Sequence, residues 1–514
     1  MTWQPEVDEI MRRREFAQAM GGSAAVGRKH ERGELTIRER VDALLDPDTF
    51  QELGPISGSP QLDSDGTVVS MVPSNHILGT GMIDGREVVV GGEDATIRGG
   101  ASDGGGSAKA YYIEHLARQL RLPLVRLHEG AGGSVRTNSS RHSERGLSGR
   151  AHSPADDMLG MIPVVSAAMG ACAGIVAARI AAAHFSVMVQ DASFLFAGGP
   201  PVVERAIGQY VPKEELGGWK VHAFSGLVDN VAKDEQDALQ QVRRFLSYLP
   251  QNVWEGAPRA PVTDDPDRRD ESLLSIIPRD RRRTFNPKKL IGSVVDQDSF
   301  FEITPHFGRA LMTGLARVDG YPVGVTCNNP NFNGGAMDAD TAEKMTKFVD
   351  LCDTFHLPMV SFEDEPGFMV GVEAERSATL RKGARALAAV HQSTIPWVNF
   401  IVRRAYGVAA GAHHNGNGPV YGWPSGEWGS IPIEGGVAAA YRREIEAAPD
   451  PDQRRRELEA AHEKDRSPFL RAESFGLHDL IDPRETRPLT VKFVRRAQVM
   501  LRTTIGPKQR YIRP

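Results

Sequence analysis

The chain has 514 residues, enough for more than one domain and for large apolar cores. Lysine and arginine number 61 against 66 acidic residues, and the net charge of −5 argues weakly against a protein that binds nucleic acid non-specifically. The three cysteines are too scattered for a disulfide framework or a zinc ribbon, and they fit a reducing, cytoplasmic location.

Two stretches bear on membrane targeting. The N-terminal segment 1–16 has no apolar signal core, and its charges predict a solvated helix. The longest apolar stretch is 158–180, but it contains Pro163, several glycines and Arg179 and is rich in alanine. We therefore expect a buried segment of a globular domain and no membrane attachment.

The first half of the chain predicts alternating strands and helices. In chain order these are a hairpin around the Asp-Gly turn at 84–85, a helix at 108–120, a buried strand at 122–127 and a second buried strand from Ile162. Both strands run into glycine-rich turns, the first at 129–134 and the second at 173–175. This alternation indicates an α/β fold with buried strands.

The second half of the chain repeats this order. The matched landmarks are 46–52 with 296–302, Gly79 with Gly314, Asp84-Gly85 with Asp319-Gly320, Gly99-Gly100-Ala101-x-Asp103 with Gly334-Gly335-Ala336-x-Asp338, 122–125 with 357–360, and 162–185 with 395–418. So long a period indicates two copies of one domain rather than a solenoid. The segment 255–272, rich in Pro, Asp and Arg, predicts a linker or an exposed strap between domains at 1–254 and 273–514.

Glycine-rich turns between a strand and a helix expose backbone N–H groups that can hold an anion or a developing oxyanion. Each copy has two such turns, at 129–134 and 173–175 in the first copy and at 364–368 and 406–409 in the second. The competing interpretation is that these glycines only permit tight turns or close packing. Because the turns are paired in both copies at equal spacing, we interpret them as oxyanion holes.

Other motifs are absent or ambiguous. The sequence has no phosphate loop, no G-x-S-x-G elbow and no H-E-x-x-H helix, and His413-His414 lacks the further ligands that a metal site needs. The acids Glu363-Asp364-Glu365 follow a buried strand, and the simpler interpretation is a solvated turn, the alternative being the lining of a pocket. The charged segment 441–466 predicts a helical hairpin on the surface or at a subunit contact.

Long stretches of the chain resemble one known family. They include "GPPVVERAIGQYVPKEELGGWKVHAFSGLVDNVAKDEQDAL", "TGLARVDGYPVGVTCNNP", "DEPGFMVG" and "RREIEAAPDP". The resemblance runs from about residue 21 to 491 and is therefore nearly complete. The chain resembles the carboxyltransferase (β) subunit of biotin-dependent acyl-CoA carboxylases, such as the propionyl-CoA and methylcrotonyl-CoA enzymes.

The resemblance implies an α/β fold of two tandem crotonase-like (ClpP/crotonase) β-β-α superhelix domains. In the family the N-terminal domain, here 1–254, holds the acyl-CoA, and the C-terminal domain, here 273–514, holds carboxybiotin. An active site forms between the N-terminal domain of one subunit and the C-terminal domain of its dimer mate, in a hexamer that is a trimer of dimers. Because this sequence has no biotinyl-lysine motif, biotin would arrive in trans from a biotin carboxylase and carrier subunit.

The resemblance also implies how the reaction uses backbone donors. CO2 moves from biotin to the α-carbon, or the vinylogous carbon, of an acyl-CoA through an enolate, and the freed biotin nitrogen takes the α-proton. The residues carried over from the family are Gly174 and Ile175 for the thioester oxygen, Gly407, Val408 and Ala409 for the ureido oxygen, Gly367 and Phe368 with Val408 and Ala409 for biotin, and Ala131, Gly132, Gly133, Gly411 and His413 for the substrate.

The sequence departs from the family near the acceptor end. Gly411 stands where the family has an Asp that sets acyl specificity, and Ile175 and Val408 stand where it commonly has Gly. We therefore expect an acyl acceptor unlike plain propionyl-CoA. Two alternatives remain open, namely the subunit of a biotin-dependent decarboxylase or transcarboxylase, and a catalytically inactive scaffold subunit of a carboxylase complex.

Overall fold

The computed structural model describes residues 2–101, 104–133, 155–262, 264–462 and 467–509. Contacts divide the chain after Val253 into two compact units, the second of which begins at Trp254. Within the described residues each unit is built on one mixed sheet of eight strands. The predicted α/β class and the repetition of one architecture are both confirmed.

The first unit combines an antiparallel hairpin with parallel strands joined by helices. Its strands are β1 (Gln51–Glu52), β2 (Gly58–Leu62), β3 (Val68–Pro73), β4 (His76–Ile83), β5 (Arg86–Glu93), β6 (Leu124–Gly130), β7 (Val164–Ala173), β8 (Phe185–Val189), β9 (Phe194–Phe196) and β10 (Asn230–Ala232). Its helices are α1 (Gln4–Gln18), α2 (Ser23–His30), α3 (Ile37–Leu44), α4 (Gly104–Leu120), α5 (Ala155–Met158), α6 (Ile175–Ala181), α7 (Pro200–Ile207), α8 (Lys213–Gly217), α9 (Trp219–His222) and α10 (Glu235–Ser247). The sheet order is β1-β4-β5-β6-β7-β8-β10, with β9 beside β7.

The second unit repeats this order. Its strands are β11 (Phe301–Ile303), β12 (Leu311–Val318), β13 (Tyr321–Asn328), β14 (Met359–Glu365), β15 (Trp397–Tyr406), β16 (Val420–Gly422), β17 (Glu427–Gly429) and β18 (Asp479–Leu480). Its helices are α11 (Pro287–Val294), α12 (Ala339–Thr354), α13 (Val372–Arg376), α14 (Thr379–Gln392), α15 (Ile433–Ala440), α16 (Arg442–Ala447), α17 (Pro451–His462), α18 (Pro468–Glu473) and α19 (Thr486–Leu501). The sheet order is β11-β12-β13-β14-β15-β16-β18, with β17 beside β15.

The Asp-Gly turns close the predicted hairpins in both units by the same bonds. The carboxylate of Asp46 accepts hydrogen bonds from the backbone N–H of Asp84 at 3.1 Å and of Gly85 at 2.8 Å. Asp296 accepts from Asp319 and Gly320 at 3.1 and 2.8 Å. Both residues of each turn have positive φ, which suits the tight turn of a right-twisted hairpin. The repeat therefore extends to individual hydrogen bonds.

The apolar stretch 158–180 forms β7 and most of α6, and the residues of β7 are almost all buried. The prediction of a buried segment is therefore confirmed. Among the described residues no helix combines the length and the apolar character needed to cross a membrane. The charged N-terminus forms α1, in which Ala17 is the buried residue, as expected of a solvated helix.

Both charged segments of the second unit make specific contacts through their described residues. The predicted helical hairpin forms α16 and α17, which pack through Ile445 and Leu458. The segment 255–272, predicted as a linker or strap, carries the nearly buried Asp264, which pairs with Arg268 at 3.0 Å and with Arg487 of α19 at 3.4 Å. The charges that make this sequence look like a linker therefore fix it to the second unit.

Buried ion pairs tie the helices of the first unit to its sheet. Arg40 of α3 is fully buried and contacts Glu129 at the end of β6 and Glu235 of α10, both at 2.6 Å. It also donates to the carbonyl oxygen of Met169 in β7 at 3.2 Å. One guanidinium thus joins two helices and two strands.

Replacing Arg40 by Met should destabilise the first unit strongly, because the buried carboxylate of Glu235 loses its cation and Glu129 loses one of its two. We expect the free energy of unfolding to fall by about 3–5 kcal/mol, which lowers the midpoint of thermal unfolding by about 6 °C or more. Arg32→Met is the matched control, because Arg32 pairs with Glu34 at the surface and should contribute less than about 1 kcal/mol. Equal effects of both variants in calorimetry would contradict this account.

Candidate active site

In the first unit the two predicted glycine turns lie against each other. A Cβ atom at Gly132 would lie 2.5 Å from the carbonyl oxygen of Ala173, so the turn after β6 packs directly on the end of β7. The N–H of Ala131 donates to the carbonyl oxygen of Gly99 at 3.0 Å, and Gly132 forms a parallel bridge with Ala101. Gly132 must therefore be glycine for space and for its φ of 74°. Ser134 of this turn and Asp103 of the repeat lie outside the described residues.

Gly174 is the point at which β7 turns into α6. Its φ of 59° and ψ of −123° form a conformation that glycine alone adopts readily. Its N–H donates to the carbonyl oxygen of Phe196 in β9 at 3.0 Å, which fixes the direction of the turn. Ile175 follows as the first residue of α6, where backbone N–H groups have no partner within a helix, and its side chain is half-exposed.

The second unit repeats the first turn at Gly367 and Phe368. The N–H of Met337 donates to the carbonyl oxygen of Gly367 at 3.1 Å, and Met337 forms a parallel bridge with Phe368, as Ala101 does with Gly132. The ring of Phe368 lies over Gly383 of α14, where a Cβ atom would overlap it. The aromatic side chain thus anchors the turn to the helix that precedes β15.

The second turn is repeated at Gly407, Val408 and Ala409. Gly407 has φ of 62°, and its N–H donates to the carbonyl oxygen of Gly429 in β17 at 3.0 Å, which matches the bond of Gly174 to β9. Val408 is two-thirds exposed, while Ala409 is fully buried at the start of a short 3-10 helix. Both second turns therefore begin with a glycine of positive φ that bonds a neighbouring short strand, although an α-helix follows in the first unit and a 3-10 helix in the second.

A carboxylate with two cations, partly buried in the first unit and fully buried in the second, lies near the end of the strand before each first turn. In the first unit Glu129 contacts Lys29 at 2.7 Å and Arg40 at 2.6 Å. In the second unit Asp364, at the equivalent position, contacts Arg403 and Arg404, both at 2.6 Å.

The solvated turn that we expected at Glu363-Asp364-Glu365 is wrong. All three acids belong to β14 and are at most 2% exposed, because the strand continues through Glu365. Glu365 accepts hydrogen bonds from the N–H of Gly367 at 2.9 Å and from the side chain of Asn328 at 3.2 Å. Partners distant in sequence replace the water that a run of acids normally requires.

Glu365 also connects the two predicted biotin-side turns. Its second oxygen lies 3.3 Å from Nε2 of His413, whose Nδ1 lies 3.4 Å from the hydroxyl of Ser361. Burial lowers the pKa of His413, but the hydrogen bond with Glu365 and the neighbouring carboxylate charges outweigh it and raise the pKa above its ordinary value. His413 is fully buried beneath the turn, so its effect on a substrate would pass through the backbone.

Gly411 lies beside α14. A Cβ atom there would be 3.3 Å from Leu387 Cδ2 and 4.0 Å from His391 Nε2. His414 is only half-buried and bonds within its own loop, to the carbonyl oxygen of Gly418 and the N–H of Gly416. The structure therefore brings Gly411 and His413 to the Gly407 turn and leaves His414 as a loop-forming residue.

Sequence reasoning missed Asn399 of β15. Its side chain donates to Glu363 at 2.6 Å on the buried face of the sheet. A single polar residue within the apolar run of a predicted strand is the signal that could have found it.

The arrangement can stabilise negative charge on oxygen in each unit. Glycines of positive φ turn the chain at the carboxyl ends of parallel strands, the edge at which open α/β sheets bind ligands. The short helices that follow begin at Ile175 and Ala409, and their first backbone N–H groups have no partner within the helix. Such groups need no reorganisation when charge develops on a bound carbonyl. In contrast, burial raises the pKa of the free thiols Cys172, Cys327 and Cys352 well above its ordinary value, so none is poised as a nucleophile.

Comparison with known proteins agrees with this geometry. The chain matches the carboxyl transferase domain family over residues 28–511. The propionyl-CoA carboxylase carboxyltransferase subunit of Haloferax mediterranei is 34% identical over 95% of each chain. The methylmalonyl-CoA decarboxylase subunit alpha of Veillonella parvula is 31% identical over 95% of each chain.

A solved structure has the same fold along the whole chain. The crystal structure of the transcarboxylase 12S hexamer, with methylmalonyl-coenzyme A and methylmalonic acid bound, superposes with a TM-score of 0.87 at 29% identity and covers 100% of this chain and 98% of that one. The predicted pair of tandem crotonase-like domains is confirmed. The chain therefore belongs to the carboxyl transferase domain family, and carboxyl transfer, the activity predicted from its sequence, is the activity of this family.

Proposed function

We propose that the chain is the carboxyltransferase subunit of a biotin-dependent acyl-CoA carboxylase. It moves a carboxyl group carried on biotin to the α-carbon, or the vinylogous carbon, of an acyl-CoA. One observation carries the proposal, namely that Gly174 and Gly407 form equivalent strand-end turns with φ of 59° and 62° in the two units. A transfer between two carbonyl compounds needs two such sites, one for each oxygen that gains negative charge.

In the first unit the turn at Gly174 and Ile175 would stabilise the enolate oxygen of the thioester. The N–H of Gly174 is already bonded to the carbonyl oxygen of Phe196, so the proposed donors are the first N–H groups of α6, beginning with that of Ile175. The α-proton of a thioester becomes acidic only when that oxygen is stabilised, so these donors would lower the barrier to carbanion formation. Ala131, Gly132 and Gly133 form the opposite turn, which would position the thioester. The domain 1–254 is therefore the proposed acyl-CoA domain.

In the second unit the residues around Gly407 fit a biotin ring. A cavity of about 650 Å³ adjoins this turn, a volume within the range of small-molecule sites. Val408 and Ala409 would present backbone N–H groups to the ureido oxygen, and Gly367 and Phe368 would hold the ring. Bound biotin supplies the carboxyl group and, after its loss, a basic nitrogen for the α-proton, so the chain need supply no side-chain base. The segment 273–514 is the proposed biotin domain, and 255–272 leads into it.

The acyl acceptor is proposed to differ from plain propionyl-CoA. Gly411 offers no side chain where the family has its specificity-setting Asp, and the nearest groups there are Leu387 and His391. Val408 adds an exposed isopropyl group at the turn itself, where the family commonly has Gly. Both changes alter the wall of the acceptor site and leave the backbone donors in place.

We propose partners by the same reasoning. Biotin would be carried in trans by a biotin carboxylase and carrier subunit in the cytoplasm, and the chain would assemble with itself as a hexamer. A second candidate is the reverse reaction, decarboxylation of an acyl-CoA, because the relative from Veillonella parvula is a decarboxylase subunit. One pair of oxyanion holes can serve carboxylation and decarboxylation alike. A third candidate is a scaffold without activity, which predicts assembly without transfer.

The proposal is tested by ATP-dependent fixation of labelled bicarbonate. The chain is purified with biotin carboxylase and carrier subunits and supplied with acyl-CoAs from acetyl to long and branched chains. We expect incorporation, with a preferred acyl-CoA other than propionyl-CoA. A strong preference for propionyl-CoA would contradict the acceptor proposal. No incorporation on any acyl-CoA, although the biotin of the complex is carboxylated, would contradict the function itself.

Gly174→Ala should reduce kcat by about 100-fold or more, because it turns one oxyanion donor away from its position. The added methyl group meets no atom within 4 Å, so the effect comes from the left-handed backbone and not from a clash. Gly85→Ala is the matched control, since Gly85 also has positive φ and open space but lies in the hairpin turn at 84–85. Comparable losses of kcat in the two variants would refute the assigned role of Gly174.

A further inference from the structure

The cavity beside the Gly407 turn is lined by both apolar and polar groups, and its polar side chains include two that are almost fully buried. Ile401 and Ala405 of β15 and the ring of Trp428 line it with apolar groups. Glu363 of β14 and Asn399 of β15 also line it, and each is only 2% exposed. Two side chains of this polarity are rarely buried unless they are bonded or bind something.

The bonding of this pair is incomplete. The amide nitrogen of Asn399 donates to Oε2 of Glu363 at 2.6 Å. The other oxygens of the pair, Oε1 of Glu363 and Oδ1 of Asn399, are buried and have no hydrogen-bond partner among the described residues. Both unpartnered atoms are acceptors, so the group that complements them must bring an N–H or O–H donor. In the free protein, water can donate hydrogen bonds to these two oxygens. A ligand that displaces this water must supply donors in its place.

Of the three neighbouring acids, only the one that lines the cavity has a buried oxygen without a partner among the described residues. Asp364 has Arg403 and Arg404, and Glu365 has Asn328, two backbone N–H groups and His413. Glu363 alone of the three lines the cavity, and burial raises its pKa to about 7. A donor from a ligand would favour its carboxylate form.

We propose that Glu363 and Asn399 form a subsite that binds an N–H or O–H donor of the reactant in this cavity. The inference rests on the proposed function, because it takes the cavity as part of the carboxyl-transfer site. Each of the two reactants has a group that could supply the donor. In biotin it is a ureido N–H, and in the acyl-CoA it is a hydroxyl group on the acyl chain. A reactant without a donor leaves both oxygens unpaired, which is the situation in which binding sites discriminate most strongly.

Equilibrium binding to the purified full-length protein, measured by calorimetry, tests the subsite. The ligands are two matched pairs, biotin with N3′-methylbiotin and 3-hydroxybutyryl-CoA with butyryl-CoA. We expect the donor-bearing member of one pair to bind at least about tenfold tighter, and the pair that responds identifies the source of the donor. In Glu363→Gln an amide NH2 can replace the acceptor, so the preference should fall to about twofold or less.

Two controls make the outcome decisive. Asp353→Asn removes another buried acid of the second unit, one that bonds Thr394 and does not line the cavity, and it should keep the wild-type preference. The thermal midpoint of Glu363→Gln should equal or exceed that of the wild type, because a buried ionisable group becomes neutral. A preference absent from both pairs, or unchanged in Glu363→Gln, overturns the inference. Binding is measured without turnover, so a chain that fixes no bicarbonate but keeps the Glu363-dependent preference overturns only the proposed function.

Discussion

A carboxylate that is largely or fully buried and is neutralised by two cations is the interaction on which both candidate sites depend. Glu129 with Lys29 and Arg40, and Asp364 with Arg403 and Arg404, lie where a parallel strand ends and the first glycine turn begins. An unpaired charge at this depth would cost several kcal/mol. Each carboxylate therefore fixes its cations in place, and with them the strand ends from which the backbone donors project.

The two units meet this requirement with different parts of the chain. The cations of the first unit come from helices α2 and α3, about 90–100 residues before Glu129 in sequence. Those of the second unit come from the neighbouring strand β15. The first site is thus tied to a helical segment that precedes its sheet, whereas the second is held within the sheet. Similar strand-end turns are thus supported by different groups in the two units.

This difference explains what the sequence could and could not predict. The hairpins follow from Asp-Gly turns and the helices from apolar spacing, both of which are local signals, and the repeat located all four turns. The burial of Glu363, Asp364 and Glu365 depends on Arg403 and other partners some 40 residues away. From local sequence alone, a run of acids predicts a solvated segment. The partners that allow its burial come from neighbouring strands of a parallel sheet, which are distant in sequence. Asn399 went unnoticed for the same reason.

The two copies share a backbone but differ in the groups beneath it. At the position equivalent to Glu363 the first unit has His128, which pairs with Glu93 at 3.0 Å. Burial raises the pKa of Glu93, but His128 outweighs it and lowers that pKa to about 2, so a carboxylate bonded to an imidazole occupies this layer. In the second unit the same layer holds an acid whose direct hydrogen-bond partner is a neutral amide. The two pairs leave different atoms without a partner among the described residues, namely Nε2 of His128 in the first unit and the acceptors Oε1 of Glu363 and Oδ1 of Asn399 in the second. The two sites therefore differ in the side chains of this layer. The turns next to it have similar geometry in both units, although each would bind a different carbonyl group.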